Sequence, residues 1–105
     1  MDPKTVRDRR DEVQLLDVRE HDEWAAGRIE GSHHIPLGEL QDRAGELDRD
    51  RPVVTVCRSG GRAGKASELL AGNGLAAHTM TGGITQWAQD GLPVTTPGGG
   101  PGQVA

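Results

Sequence analysis

The chain has 105 residues and a formal net charge of −4 at pH 7, from twelve basic and sixteen acidic side chains. This length suits one domain that folds unaided and leaves no room within these residues for a second. The acidic balance argues against nucleic acid as a partner. No apolar run approaches the length of a membrane span, and the N-terminus lacks the apolar segment of a secretory signal. We therefore expect a cytoplasmic protein that binds neither nucleic acid nor membranes.

Cysteine and aromatic residues are scarce in this sequence. Cys57 is the only cysteine, and the chain has no phenylalanine or tyrosine. A lone cysteine cannot form an internal disulfide, which agrees with a reducing compartment where a reactive thiol persists. The core must then be built from aliphatic side chains together with the two tryptophans, Trp24 and Trp87. We assign Trp24 to the core and not to a binding surface.

The first quarter of the chain predicts a helix, a strand and a second helix. Asp2 and Pro3 are typical of a helix cap followed by proline in the first turn, so a short helix is expected over 4–10. The apolar run 13–18 predicts a strand. One or two helical turns should follow over 21–26.

Two adjacent histidines, His33 and His34, lie in a short predicted strand over 32–36. Successive residues of a strand face opposite ways, so one histidine should point inward and the other outward. Acidic residues occur nearby at 20–23, but no second cluster has the spacing of metal ligands. We therefore predict no metal site.

The stretch 37–47 predicts a helix with one narrow apolar stripe, formed by Leu40, Ala44 and Leu47. A charged connection over 48–52 should lead on to the next strand.

The second half of the chain alternates strands and helices. Strands are predicted over 53–56 and 75–80, and a helix should follow each of them. Each helix should turn an apolar side toward the sheet, formed by Ala63, Ala66, Leu69 and Leu70 in the first and by Ile84, Trp87 and Ala88 in the second.

Repeated strand-helix units predict an α/β fold, with a central parallel sheet of four to five strands and helices on both faces. Residues 1–95 should form the single domain. The Gly- and Pro-rich tail 96–105 has little to bury, so it should be flexible or held by a neighbouring surface.

The loop between the strand 53–56 and its helix reads Cys57-Arg58-Ser59-Gly60-Gly61-Arg62. A glycine-rich turn at a helix start leaves backbone N–H groups without partners at the positive end of the helix dipole. Such a turn can bind an anion. The sequence therefore predicts an anion site at this loop.

Positive side chains surround the cysteine of this loop. Arg58, Arg62 and Lys65 are close in sequence, and no acidic residue follows Cys57 before Glu68. A helix N-terminus with nearby cations lowers the pKa of a cysteine, and the thiolate is the nucleophilic form. We interpret Cys57 as an active-site nucleophile rather than as a small buried core residue.

Asp17 stands near the carboxyl end of the strand 13–18, and Arg19 lies just beyond it. Ligand crevices of open α/β sheets lie beyond the carboxyl ends of the strands, so both residues should share a rim with Cys57. We favour a supporting role for Asp17, as a carboxylate that accepts loop N–H groups or pairs with an arginine, over a part in proton transfer.

Three ordered blocks of the chain resemble the signatures of the rhodanese family, the thiosulfate sulfurtransferases. The loop 57–62 looks like the family's active-site loop. The family's first signature resembles Leu15-Leu16-Asp17-Val18-Arg19-Glu20, Glu23-Trp24, Gly27-Arg28-Ile29-Glu30-Gly31-Ser32 and Ile35-Pro36. Its C-terminal signature resembles Gly82-Gly83-Ile84 through Trp87 and Gly91-Leu92-Pro93-Val94. These ordered blocks make the resemblance specific.

The resemblance implies the three-layer rhodanese-like fold and a two-step transfer of a sulfane sulfur, with no metal. Cys57 would attack the outer sulfur of thiosulfate, release sulfite and carry a persulfide. The anion would be bound by Arg58, Ser59, Gly60, Gly61 and Arg62. Because the chain has no second cysteine, cyanide, an external thiol or a sulfur-accepting protein must take the sulfur. We expect no cofactor and a monomer or weak dimer.

Departures from the family pattern concern the N-terminal edge, Arg28, the pair His33 and His34, and Ala63; those at Arg28 and at the two histidines do not touch the loop. Many members carry an extra edge strand before the first helix, of which this chain can supply only a residue or two. Relatives often have a histidine where Arg28 stands and a hydroxyl residue where Ala63 stands. The change at Ala63 removes one loop hydrogen bond and should lower turnover without abolishing it.

Two alternatives remain beside sulfur transfer. The same loop could bind phosphate or arsenate, but the phosphatase relatives have one more loop residue, and Val56 stands where they usually have a histidine. A binding module or persulfide carrier is the other alternative. An inactive scaffold is disfavoured because Cys57 and both loop arginines are present.

Overall fold

A four-stranded parallel sheet forms the centre of the computed structural model, which describes residues 1–105. Its strands are β1 (Gln14–Asp17), β2 (His33–His34), β3 (Val53–Val56) and β4 (Ala77–Thr79), in the order β2-β1-β3-β4. Every neighbouring pair is parallel. The carboxyl ends of β1 and β3 therefore meet at one edge of the sheet, and Asp17 is in register with Val56 there.

Five α-helices connect and cover the strands. They are α1 (Pro3–Asp8), α2 (His21–Ala26), α3 (Leu40–Arg43), α4 (Gly61–Gly72) and α5 (Gly83–Gln89). Asp2 caps α1 by accepting a hydrogen bond from the Thr5 N–H at 2.8 Å, as expected of an aspartate before a first-turn proline. No helix is both long and apolar enough to cross a bilayer.

The core is divided by the sheet into two clusters, because alternate strand residues face opposite sides. In β3, Val53 belongs to the cluster under α3 and α4, whereas Val54 and Val56 belong to the cluster under α1 and α5. All four residues of β3 are buried, which is typical of a strand in a parallel sheet covered on both faces. The predicted α/β fold with helices on both faces is confirmed.

The sheet has four strands, and Met1 alone extends it. The amino group of Met1 donates to the Thr79 carbonyl at 3.0 Å, and the Thr81 N–H donates to the Met1 carbonyl at 2.7 Å. One residue beside β4 is too short to form a fifth strand.

The single helix predicted over 37–47 is wrong. This segment consists of two 3-10 turns, Leu37–Glu39 and Ala44–Glu46, with the short α3 between them. Leu40 and Leu47 are buried as expected. Two glycines, Gly38 and Gly45, fall within these eleven residues and weaken a regular helix.

The assignment of Trp24 to the core is also wrong. The side chain is only half-buried, and it stacks on His34 with ring centroids 4.6 Å apart. The Arg28 guanidinium lies over its ring at 4.1 Å. The six-residue helix α2 has no buried residue, and its tryptophan lies outside both core clusters, packed between these two neighbours. In α5, Ile84 and Trp87 are buried but Ala88 is exposed.

The tail 96–105 folds back on the domain. Thr95 forms antiparallel bridges with Arg28 and with Pro101. The Gln103 N–H then donates to the Ala26 carbonyl at 3.0 Å. The tail thus lies against the end of α2.

Candidate active site

Cys57 follows β3 directly and lies beneath a tight loop that begins α4. Its side chain is 1% exposed. The N-cap residue Gly60 has φ +126°, a conformation that L side chains rarely adopt. This backbone turns the Gly60 N–H onto the sulfur of Cys57, with N and Sγ 2.9 Å apart. A thiolate at this position accepts that hydrogen bond.

The loop presents several N–H donors without acceptors in the protein. The N–H groups of Arg58 and Ser59 donate to no protein atom, and neither do those of Gly61 and Arg62 in the first turn of α4. The helix behind them is twelve residues long, so its dipole adds partial positive charge at the same place. Free N–H groups at a helix N-terminus are the arrangement that favours an anion, and anion binding at this loop stays a prediction.

The three cations of the loop region differ in their surroundings. Arg58 and Lys65 are exposed. Arg62 forms a bidentate ion pair with Glu23, with N–O distances of 2.6 and 2.9 Å. The hydrogen bonds from Arg62 lower the pKa of Glu23 to about 2, and Glu23 in turn raises the pKa of Arg62. Arg62 is thus a fixed, permanently charged neighbour of Cys57.

Asp17 and Arg19 form a buried ion pair at the carboxyl end of β1. The Asp17 carboxylate accepts from the Arg19 backbone N–H and from Nε at 3.0 Å each, and from Nη2 at 2.8 Å. Arg19 also donates to the Gly27 carbonyl, and its own carbonyl accepts from His34 Nε2 at 2.7 Å. No hydrogen bond joins this pair to the loop 57–62. Its contacts connect β1, β2 and the end of α2, which agrees with a supporting role.

Sequence reasoning missed the roles of Glu23 and Gly83. The sequence showed Glu23 only as one of several acidic residues before Trp24, with nothing to indicate its pairing with Arg62. Gly83 marks the start of α5, where the Ile84 N–H donates to the Cys57 carbonyl at 2.9 Å and the Thr85 N–H to the Arg58 carbonyl at 3.1 Å. Its signal was a pair of glycines just before a helix.

Other parts of the molecule offer no comparable site. No three His, Cys, Asp or Glu side chains lie close enough together to hold a metal ion. The three surface cavities, of about 230 to 350 Å³, are not lined by any loop residue.

These observations define the class of protein: an α/β domain in which a cysteine at the end of a parallel strand begins a glycine-rich loop at a helix N-terminus. Residues 2–90 match the family model described as Rhodanese-like domain. The chain belongs to this family.

Named relatives agree with the assignment. The chain is 37% identical over 90 residues to a sulfurtransferase of Allochromatium vinosum, covering 85% of this chain and 84% of the relative. It is 31% identical over 87 residues to the thiosulfate sulfurtransferase GlpE of Pseudomonas aeruginosa, covering 81% of this chain and 79% of GlpE. The crystal structure of a rhodanese-related protein from Thermoplasma volcanium superposes with a TM-score of 0.87 at 33% identity, covering 90% of this chain and 95% of that one.

Several relatives are longer than this chain. The chain spans 60% and 38% of the length of two further curated relatives. It spans 31% of a putative sulfur carrier protein of Bacillus subtilis, at 40% identity over 58 residues.

Proposed function

We propose that this protein transfers a sulfane sulfur from thiosulfate to cyanide or to a thiol acceptor through a persulfide on Cys57. The observation that carries the proposal is the position of Cys57 Sγ, 2.9 Å from the Gly60 nitrogen. It sits inside a loop whose other N–H groups have no acceptor in the protein. Names of the relatives support sulfur transfer as the reaction class.

In the first step the Cys57 thiolate attacks the outer sulfur of thiosulfate. A bond forms between Sγ and that sulfur, and the sulfur–sulfur bond of thiosulfate breaks with its electron pair leaving on sulfite. The cysteine then carries a persulfide anion, and no external oxidant or reductant is needed. The terminal sulfur extends about 2 Å beyond Sγ, where free loop N–H groups can stabilise its charge.

In the second step an acceptor attacks the terminal sulfur. Cyanide forms a carbon–sulfur bond and leaves as thiocyanate, while the electron pair of the broken sulfur–sulfur bond returns to Cys57. A thiolate acceptor would leave as a persulfide in the same way. The chain has no second cysteine, so the acceptor must be external.

Backbone and side-chain groups of the loop would have different roles in binding the sulfur donor. Backbone N–H groups from Arg58 to Arg62 would bind the sulfonate oxygens and the persulfide, with Ser59, Gly60 and Gly61 shaping the turn. Arg58 is exposed and would attract the anion. Arg62 would supply fixed charge from its ion pair with Glu23.

The proposal is tested by intact-protein mass spectrometry under non-reducing conditions after brief exposure to thiosulfate. The native protein should gain the mass of one sulfur atom and lose it when cyanide is added. The Cys57→Ala variant should gain nothing and should form no thiocyanate. Turnover by Cys57→Ala, or no gain by the native protein, would contradict the mechanism.

A persulfide carrier is the second candidate, because Cys57 is 1% exposed and one relative is named a putative sulfur carrier protein. A carrier would gain sulfur in the same experiment. It would transfer that sulfur to a protein acceptor much faster than to cyanide, whereas the enzyme would form thiocyanate over many turnovers.

A further inference from the structure

The first turn of α5 is hydrogen-bonded to the first two peptides of the cysteine loop. The N–H groups of Ile84 and Thr85 donate to the carbonyls of Cys57 and Arg58 at 2.9 and 3.1 Å. Ile84 is fully buried in the core, and the Gly83 N–H donates to the Met80 carbonyl at 3.1 Å. The start of α5 is therefore a fixed support for two loop peptides.

Each of these loop peptides is planar and trans, so its C=O and its N–H point in opposite directions. The Cys57 carbonyl belongs to the same peptide as the Arg58 N–H, and the Arg58 carbonyl to the same peptide as the Ser59 N–H. Because both carbonyls are bound toward α5, both N–H groups are directed away from α5. These two N–H groups have no acceptor in the protein.

Gly83 permits this close approach. Its φ is +64°, and a Cβ built on it would lie 2.5 Å from the carbonyl oxygens of both Cys57 and Arg58. Any larger residue would have to displace the two peptides that carry the free N–H groups. Glycine at this position is required by contact as well as by backbone conformation.

We propose that Gly83 is a positioning residue that, through the first turn of α5, aims the N–H groups of Arg58 and Ser59 at the sulfur-donor anion. This inference rests on the proposed function, which supplies the anion. The anion site would then depend on two helices. The dipole of α4 attracts the anion, and α5, which begins 25 residues after Arg58, aligns the N–H groups that bind it.

The test measures binding alone, in a Cys57→Ser protein that cannot cleave thiosulfate. Thiosulfate is titrated into the isotopically labelled protein, and the backbone amide resonances are followed by NMR. The Arg58 and Ser59 resonances should shift and saturate. Adding Gly83→Ala should raise the dissociation constant at least about tenfold, because charge-assisted hydrogen bonds are lost.

Gly91→Ala is the matched control. Gly91 has a similar φ of +79°, but a Cβ there would meet no atom within 4 Å. The Gly91→Ala variant should carry the same type of backbone strain as Gly83→Ala. Its affinity for thiosulfate should stay within about twofold of that of the Cys57→Ser protein. Equal affinity in Gly83→Ala and Gly91→Ala would overturn the proposal.

If Gly83→Ala does not fold, Gly83→Asn in the Cys57→Ser protein takes its place, because asparagine tolerates a positive φ but still places a Cβ against the two carbonyl oxygens. Weakened thiosulfate binding by Gly83→Asn would support the proposal, and affinity equal to that of Gly91→Ala, or no saturating shifts at Arg58 and Ser59 in Cys57→Ser itself, would overturn it. Sulfur loading of the intact Cys57 protein is measured separately. A protein that binds thiosulfate at these amides but never gains sulfur would contradict the proposed function and leave this inference standing.

Discussion

At the scale of single residues, the ion pair between Arg62 and Glu23 determines the charge next to Cys57. Glu23 is 15% exposed and Arg62 33%, so the pair is partly protected from solvent. Glu23 also accepts from the Glu20 backbone N–H at 3.0 Å, which ties it to the start of α2. Arg62 is thereby fixed in place while it remains positively charged.

This pair should make the stability of the protein depend on acid pH. The folded pKa of Glu23 is about 2 against an ordinary 4.5, so between these values the unfolded chain binds more protons than the folded one. The stabilisation is present above pH 4.5 and lost as the pH falls toward 2. At pH 7, Glu23→Gln should cost about 1–2 kcal/mol, allowing for solvent screening. Urea unfolding at pH 3 and pH 7 measures this.

Glu46→Gln is the control for that prediction. The pKa of the Glu46 carboxyl is also lowered to about 2, by hydrogen bonds from Arg43. The pair of Glu46 and Arg43, however, lies on the surface. Removing it should change the pH dependence of unfolding less than Glu23→Gln does. A larger effect from Glu46 would show that burial does not decide the strength of these pairs.

Asp17 should act on stability and not on proton transfer. Asp17→Asn leaves the Arg19 guanidinium buried without its carboxylate, and should lower the free energy of unfolding by roughly 3 kcal/mol or more. Asp42→Asn, at an exposed position on α3, should leave it nearly unchanged. Circular dichroism during urea unfolding gives both values. Unchanged stability with lost sulfur transfer would assign Asp17 to the chemistry instead.

At the scale of elements, a chain of hydroxyl groups joins β3, α4 and β4. The Thr55 hydroxyl lies 2.8 Å from that of Ser67, which lies 2.9 Å from that of Thr79. Thr55 Oγ1 is also 2.9 Å from the Ala63 carbonyl in the first turn of α4. This network fixes the helix that begins at the cysteine loop against the strand that ends there.

Removing the buried hydroxyl should loosen this junction. Thr55→Val keeps the shape of the side chain and removes its hydrogen bonds, at a cost of about 1–2 kcal/mol in the free energy of unfolding. Thr81→Val, at an exposed position, should change it by less than about 0.5 kcal/mol. Thermal unfolding of the three proteins distinguishes them. Equal stability of the Thr55 and Thr81 variants would mean that the network is dispensable.

At the scale of the whole molecule, the tail 96–105 closes over the end of α2. A Cβ on Gly27 would collide with the Gln103 backbone and would lie 2.7 Å from Val94. Val104 packs at the edge of the core cluster under α1 and α5. The tail touches no residue of the cysteine loop through a hydrogen bond.

A chain that ends at Thr96 should keep sulfur loading of Cys57 and lose little stability. The lost contacts are four backbone hydrogen bonds and one half-buried valine, about 2–4 kcal/mol. They are offset by the entropy that the tail regains. Gly27→Ala should cost more in the full chain than in the shortened one, since only the full chain carries the colliding backbone. Equal costs, measured by urea unfolding, would show that the tail does not occupy this position.

Local chemistry made much of the fold predictable. The buried run 53–56, the capped helix at Asp2 and the glycines that end or begin helices are local signals, because strand burial, capping and positive φ each depend on a few adjacent residues. The loop 57–62 is equally local: its cysteine, glycines and arginines are neighbours in the chain. The helix over 37–47 failed because a narrow apolar stripe does not outweigh two glycines.

The sequence alone determined the parallel α/β architecture and the make-up of the cysteine loop. Only the tertiary structure decided that Glu23 pairs with Arg62 and that Trp24 packs between His34 and Arg28, outside the core. It also decided that Gly83 lies against the peptides of Cys57 and Arg58. These contacts join residues that are distant in the chain, some as many as 39 positions apart. Residue type indicates that a partly buried acid needs a basic partner and that a glycine allows close approach of another backbone. The packing of the sheet and helices determines which residue is that partner and which backbone approaches.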